Sequence, residues 1–238
     1  NAVLGFSQLL QLDQDISTQS RKKLATINRA GQHLLALIND VLEISRIEAG
    51  RSVSACQAFD LTELLGGVHD IVRGRAQSKG LTLRVVRAAD LPSCVAGDAP
   101  HLKQVLINLL GNAIKYTEQG GVSLQVRCGA GDQAGTICFQ VQDTGPGIAR
   151  DEQERIFAPF YQTEVGMSKG DGTGLGLAIS RQCARLMGGQ LTVDSEVGQG
   201  STFTLSVPLP VATMAAAEAP LGPITALEPG YRGLRVVV

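Results

Sequence analysis

Three short stretches of the 238-residue chain carry residue types at spacings that could do chemistry. In DGTGLGLAIS (171–180), Gly172, Gly174 and Gly176 alternate at the start of an amphipathic pattern. Glycine lets backbone amides come close to a ligand, and a helix N-terminus favours an anion, so a phosphate is the natural candidate. Glycine turns also precede helices that bind nothing. The stretch has no GKS or GKT, so it is not a Walker loop, and it does not follow a strand as a dinucleotide-binding turn would. In DTGPGI (143–148), at the end of an expected strand, Asp143 could accept a hydrogen bond from the exocyclic amine of adenine. Guanine has a carbonyl there, and two acceptors facing each other would reject it. Asp143 could equally just begin a Pro-Gly turn. In NLLGNAIKY (108–116), Asn108 and Asn112 are four apart on one helix face and Lys115 is close to it. An Asn carbonyl suits Mg2+, which prefers oxygen ligands and keeps several waters, and Lys115 could meet a phosphate. The competing reading is a polar face in solvent, although both Asn residues interrupt an otherwise apolar run.

Helices and strands must place these stretches. Val3, Phe6, Leu9 and Leu10 repeat at helical spacing from the first residues, so 1–12 reads as part of a helix. DQDIST (13–18) breaks it, and Ser17 or Thr18 could cap a second helix. That helix, over about 19–49, carries Leu24, Ile27, Gly31, Leu34, Ile38 and Val41 at spacings of three and four, a seam like that of a coiled coil. Two antiparallel helices cannot bury both apolar faces alone, so a second copy completing a four-helix bundle is expected. Beyond a linker with a short strand (50–60), helices are expected at 61–80, from Asp98 to Tyr116 and at 174–188. Strands are expected at 81–87, 121–128, 135–143, 190–195 and 202–209, with two hairpins among them. Strict βαβ alternation is missing, which argues for a mixed sheet covered by helices on one face.

Composition narrows the function. The formal net charge of −1 advertises neither nucleic acid nor a membrane surface, and with 4% aromatics a base-stacking platform is not expected. No apolar run nears the roughly 20 residues of a membrane span, and no leader pattern is visible. Five cysteines without CxxC spacing read as free thiols of a reducing, cytoplasmic compartment rather than disulfides or a zinc site. His33, His69 and His101 are far apart in sequence and give little support to a metal cluster. Five of the nine prolines fall between 208 and 229, the texture of an interdomain linker.

Read in order, the two Asn with Lys115-Tyr116, DTGPGI, IFAPFYQ (156–162), GTGLGL (172–177) and GQGSTF (198–203) resemble the nucleotide-binding core of sensor histidine kinases. The helical stretch 1–49, ending SRIEAG, resembles the family's dimerisation hairpin. The resemblance implies an α/β fold, the Bergerat-type ATP-binding sandwich, preceded by that hairpin, and it implies ATP and Mg2+ as ligands. Asp143 would contact the adenine amine, with Gly145 and Gly147 shaping the pocket beside it. Asn112 would ligate Mg2+ while Asn108 supports the nucleotide. Lys115 and Tyr116 would approach the phosphates or ribose. Phe157 and Phe160 would anchor a lid over about 149–171. Gly172, Gly174 and Gly176, with Thr173 and Leu175 between them, would frame the lid's far end and the triphosphate. Lys169 would be the cation near the γ-phosphate, although five acidic residues in the lid outnumber three basic ones.

The implied organisation is a dimerisation hairpin at 1–50, a linker at 51–57, an ATP-binding domain at 58–210, a Pro/Ala-rich linker at 211–230 and, at 231–238, a stretch like the first strand of a receiver domain. The expected partners are a second copy of the chain and a response-regulator receiver domain, fused in a hybrid parent whose upstream segments could anchor it to a membrane. The family's His-Glu-x-x-Thr-Pro-Leu acceptor segment is not found, and His33 falls where relatives carry a His with no acceptor role. The chain is therefore expected to bind ATP without phosphorylating itself. The competing readings are a non-catalytic nucleotide-binding dimerisation module and another ATPase of the same fold.

Overall fold

The computed structural model of the chain describes residues 5–7, 9–10, 17–48, 56–129, 135–168 and 172–213. Lys169, the stretch 231–238 and most of both linkers lie outside the described residues.

Residues 5–7 and 9–10 are helical, and α1 runs from Thr18 to Glu48. Ser17 begins it: its hydroxyl accepts from the Ser20 amide at 3.1 Å and its carbonyl from the Arg21 amide. The two helical stretches meet at a buried polar pair, where the Ser7 hydroxyl donates to the Asn28 side-chain carbonyl. The expected seam of α1 is only partly covered. Ile27, Leu34, Ile38 and Val41 remain 44–58% exposed in the single chain.

The remainder is a two-layer α/β domain. A short β1 (Gln57–Asp60) runs into α2 (Leu61–Ser78), whose first turn is capped by the Asp60 carboxylate accepting from the amides of Thr62 and Glu63. Then come β2 (Thr82–Arg87), β3 (Cys94–Gly97), α3 (Ala99–Tyr116), β4 (Gly121–Cys128) and β5 (Thr136–Asp143). A 3-10 turn (Arg155–Phe157), α4 (Glu164–Ser168), α5 (Gly176–Leu186), β6 (Gln190–Glu196) and β7 (Gly200–Pro208) complete it. The main sheet has the order β2-β4-β5-β7-β6, with β2 parallel to β4 and every other pair antiparallel. This is the expected mixed sheet, and both expected hairpins are present. β3 pairs with β1 instead, and Val211 and Ala212 continue past β7 to bond β3.

Helix α3 packs on both α2 and α5, and all three lie on one face of the sheet. The apolar stripes face inward: Leu61, Leu65, Val68, Val72 and Ala76 on α2, and Leu102, Val105, Leu106, Leu109, Leu110, Ala113 and Ile114 on α3. They meet Leu124, Phe139, Val141, Leu205 and Val207 of the sheet, all at most 1% exposed. Because that face of α3 is committed to the core, Asn108, Asn112 and Lys115 lie outside it and are only half-buried.

Candidate functional site

A cleft of about 480 Å3 opens between α3, the C-terminal end of β5 and the glycine-rich loop before α5. Asp143 forms its floor. As the last residue of β5 it is flanked in the sheet by Val122 and Ser201, and it is 7% exposed. Its Oδ1 accepts from the Gly145 amide at 2.8 Å. Burial pushes the Asp143 carboxyl above the usual carboxylate range, against the hydrogen bonds from the Gly145 and Ser201 backbones, which favour the charged form. The turn after Asp143 is close-packed. Gly147 has φ +72°, and a Cβ there would lie 2.0 Å from the Glu196 carbonyl oxygen. Gly200 has φ +97°, and a Cβ there would lie 2.0 Å from the carbonyl oxygen of Asp143 itself. Ser195 ties the two motifs together, its hydroxyl accepting from the Ile148 amide and lying against Gly200 and Ser201.

The opposite wall is α3. The Asn108 amide is already spent: its Nδ2 donates to Ser180 of α5 at 2.8 Å, and its Oδ1 lies where a Cβ on Gly176 would come within 2.4 Å. Gly176 is thus required for α5 to approach α3. Asn112, one turn on, also lines the cleft, is half-buried, and its side-chain amide has no hydrogen bond among the described residues. Lys115 holds its ammonium 5.0 Å from the centre of the Tyr116 ring and beside Gly172, where an added Cβ would be 3.1 Å away.

The loop between β5 and α5 is held at Phe157 by its buried ring and at Phe160 by its backbone. Phe157 is buried edge-on against Phe203, with ring centres 6.5 Å apart, and stacks under the Arg181 guanidinium. Phe160 is 68% exposed and adopts φ +64°, a region that non-glycine residues avoid. Its amide donates to the Gly174 carbonyl at 3.0 Å, and Gly174, at φ +71°, has no room for a Cβ against the Phe160 backbone. IFAPFYQ and GTGLGL therefore hold each other. Gln162 Nε2 donates to the Gly172 carbonyl, and the Thr173 hydroxyl accepts from the Leu175 amide.

Of the residues expected from the sequence, Asn108, Asn112, Lys115, Tyr116, Asp143, Gly147, Gly172, Thr173, Gly174 and Gly176 line one cleft. Gly145 stands behind Asp143, while Phe157 and Leu175 are core residues that carry the loop, and Phe160 faces solvent. Lys169 lies outside the described residues. Cleft residues beyond that expected set include Arg75, Ile148, Tyr161, Gln162, Ser201 and Phe203. All but Arg75 fall inside or beside the quoted motifs. Arg75 comes from α2, far from any motif in sequence.

Residues 97–211 match the family described as histidine kinase-, DNA gyrase B- and HSP90-like ATPase, and residues 1–50 match the His Kinase A (phospho-acceptor) domain. Among curated proteins, the chain is similar to the aerobic respiration control sensor protein ArcB of Escherichia coli, at 38% identity over 88% of this chain and 27% of ArcB. It is similar also to the signal transduction histidine-protein kinase BarA of Escherichia coli, at 37% identity over 88% of this chain and 23% of BarA. The chain thus spans about a quarter of the length of these relatives. Among solved structures it resembles full-length ShkA in complex with AMPPNP, with a TM-score of 0.75 and 37% identity over 89% of this chain and 43% of ShkA. With a phospho-acceptor-type match at 1–50, an ATPase match of the histidine-kinase class at 97–211 and sensor kinases among its relatives, the chain belongs to the sensor histidine kinases.

Proposed function

We propose that this chain is the ATP-binding and dimerisation core of a hybrid sensor kinase, which takes the γ-phosphoryl group of Mg2+-ATP to a histidine and then to a receiver aspartate. The observation that carries it is the pairing of Asp143, a buried carboxylate on the cleft floor, with the polar α3 face opposite. Asp143 Oδ1 is held by the Gly145 amide, so the carboxylate is a fixed acceptor for the adenine amine and a repulsive partner for the guanine carbonyl. Ile148, Leu177 and Phe203 supply apolar wall for the base.

The donor set fits a magnesium ion carried in by the nucleotide. Among the described residues no three His, Cys, Asp or Glu side chains come together. Asn112 offers one amide oxygen with no hydrogen-bond partner among the described residues, and phosphate oxygens and water would supply the other ligands. The ion would neutralise charge on the phosphates. Lys115, beside the Gly172 loop, is placed for the same polyanion. In the transfer step an imidazole nitrogen forms a bond to the γ-phosphorus as the bond to the β,γ-bridging oxygen breaks, and ADP leaves. The protein's part is positioning and charge neutralisation.

The acceptor is not one of this chain's three histidines. His101 Nδ1 lies 2.7 Å from the Asp98 carboxylate at the start of α3, inside the domain, and His69 lies beside Asp70 on α2. His33, on α1, is expected from the family resemblance to have no acceptor role. The seam of α1 suits a second copy of the same chain, and a receiver domain is the expected phosphoryl destination.

Calorimetry tests the central claim. Asp143→Asn turns a pure acceptor into a mixed donor and acceptor facing the amine, and should weaken ATP binding about tenfold or more. Equal affinity for ATP, or equal affinity of the wild type for ATP and GTP, would remove the adenine assignment. The isolated chain incubated with radiolabelled ATP should gain no acid-labile label.

A further inference from the structure

The charged side chains lining the cleft among the described residues are Asp143, Lys115 and Arg75. The first two belong to motifs that already have roles in the proposed function. Arg75 does not. It lies in the last turn of α2, and its guanidinium makes no hydrogen bond or ion pair among the described residues. An arginine with five donors and no partner among the described residues, at the wall of a cleft, is available to an anion bound there.

Its placement is built. Lys79 lies four residues after Arg75, so the two share a face of α2. Lys79 Nζ donates to the carbonyls of Ile114, Lys115 and Thr117, at 2.8, 2.7 and 3.2 Å. Three carbonyls at the end of α3, otherwise orphaned by the helix ending, thus receive one ammonium. That bond set fastens the end of α2 to the end of α3, the turn that also carries Lys115 and Tyr116. Arg75, one turn before Lys79, lines the same cleft as Lys115.

We infer that Arg75 is a phosphate-binding residue of the nucleotide cleft, contributed by α2 and acting beside Lys115 on the polyphosphate rather than on the base. The inference rests on the proposed reading of the cleft as an ATP site. Arg75 is exposed, so its contribution is screened by salt, unlike that of the buried Asp143.

The test compares wild type, Arg75→Gln and Arg75→Lys chains with two probes, Mg2+-ATP and adenosine, by calorimetry or competition with a fluorescent nucleotide. Arg75→Gln should bind Mg2+-ATP about three- to tenfold more weakly at low ionic strength, the scale of one exposed charge-assisted contact. Its adenosine affinity should be unchanged, the ATP difference should shrink as salt is raised, and Arg75→Lys should recover part of the loss. Unchanged ATP affinity in Arg75→Gln, or a parallel loss for adenosine, overturns the assignment while leaving the ATP site intact. If the wild type binds neither probe, the reading of the cleft fails first, and this inference with it.

Discussion

Helices α1 and α3 carry apolar residues at the same spacings and treat them in opposite ways. On α3, Leu102, Val105, Leu106 and Leu110 are 0% exposed, closed in by α2, α5 and the sheet of the same chain. On α1, Ile27, Leu34, Ile38 and Val41 stay roughly half exposed. Periodicity says which face of a helix is apolar, and nothing in it says whether the covering surface belongs to the same molecule. An apolar stripe left open along a 31-residue helix is an association surface. The nucleotide domain closes its own core, whereas the apolar stripe of the long helix stays open in the single chain.

The largest effects should separate these two helices. Leu106→Ala removes packing at a site with no solvent access and should cost about 2–5 kcal/mol in denaturant unfolding. Ile38→Asp should leave the unfolding of the nucleotide domain within about 0.5 kcal/mol of wild type, as a surface change does. In sedimentation, however, it should convert a dimer to a monomer. A monomeric wild type, or an Ile38→Asp chain that still sediments as a dimer, would break the contrast.

Much of this architecture is legible in the sequence, and the illegible parts have physical reasons. The helices α2 and α3, the start of α3 at Asp98, and the two hairpins are local signals and lie where the sequence puts them. β3 is not among the expected strands. CVAG is four residues long, has no alternation to read, and is a strand only because β1 and Val211 pair with it from far away in sequence. α5 starts at Gly176 rather than at 174, because Gly174 is spent in the left-handed turn that bonds Phe160. α4 lies inside the span expected to be lid loop. The site motifs are visible because glycines and asparagines interrupt apolar runs. Arg75 is invisible because it looks like any exposed helix arginine until Lys79 shows which side of α2 faces the end of α3.

Glycines sharpen the comparison on a smaller scale, between the site and the helices behind it. Gly147 has a positive φ and its missing Cβ would sit on the Glu196 carbonyl, so Gly147→Ala should destabilise by more than about 1 kcal/mol. Gly66 is exposed on α2 with nothing within 4 Å of an added Cβ, so Gly66→Ala should stabilise by about 0.5–1 kcal/mol. Thermal unfolding of both variants checks the signs. A stabilised Gly147→Ala would mean that the turn beside Asp143 is not tightly seated on the β6–β7 hairpin.

The smallest stability effect separates fold from function at one residue. Burial raises the Asp143 carboxyl above its ordinary value of 3.8, so between that value and its folded one the native state holds a proton that the unfolded state has lost. Stability from this group is therefore complete below the unfolded value, declines as pH rises through the folded one, and stays lost at neutral pH. Asp143→Asn carries no such charge and should be more stable than wild type at pH 7, with the gap closing as pH falls towards 3.8. Its ATP binding should be weak at every pH, while that of the wild type should fade only where the carboxylate is protonated. Melting curves and calorimetry across the acid range read both. A variant less stable than wild type at pH 7 would mean that the hydrogen bonds from Gly145 and Ser201 outweigh the cost of burying the charge. Asp143 would then be a structural anchor of the turn as much as a binding group held there at the fold's expense.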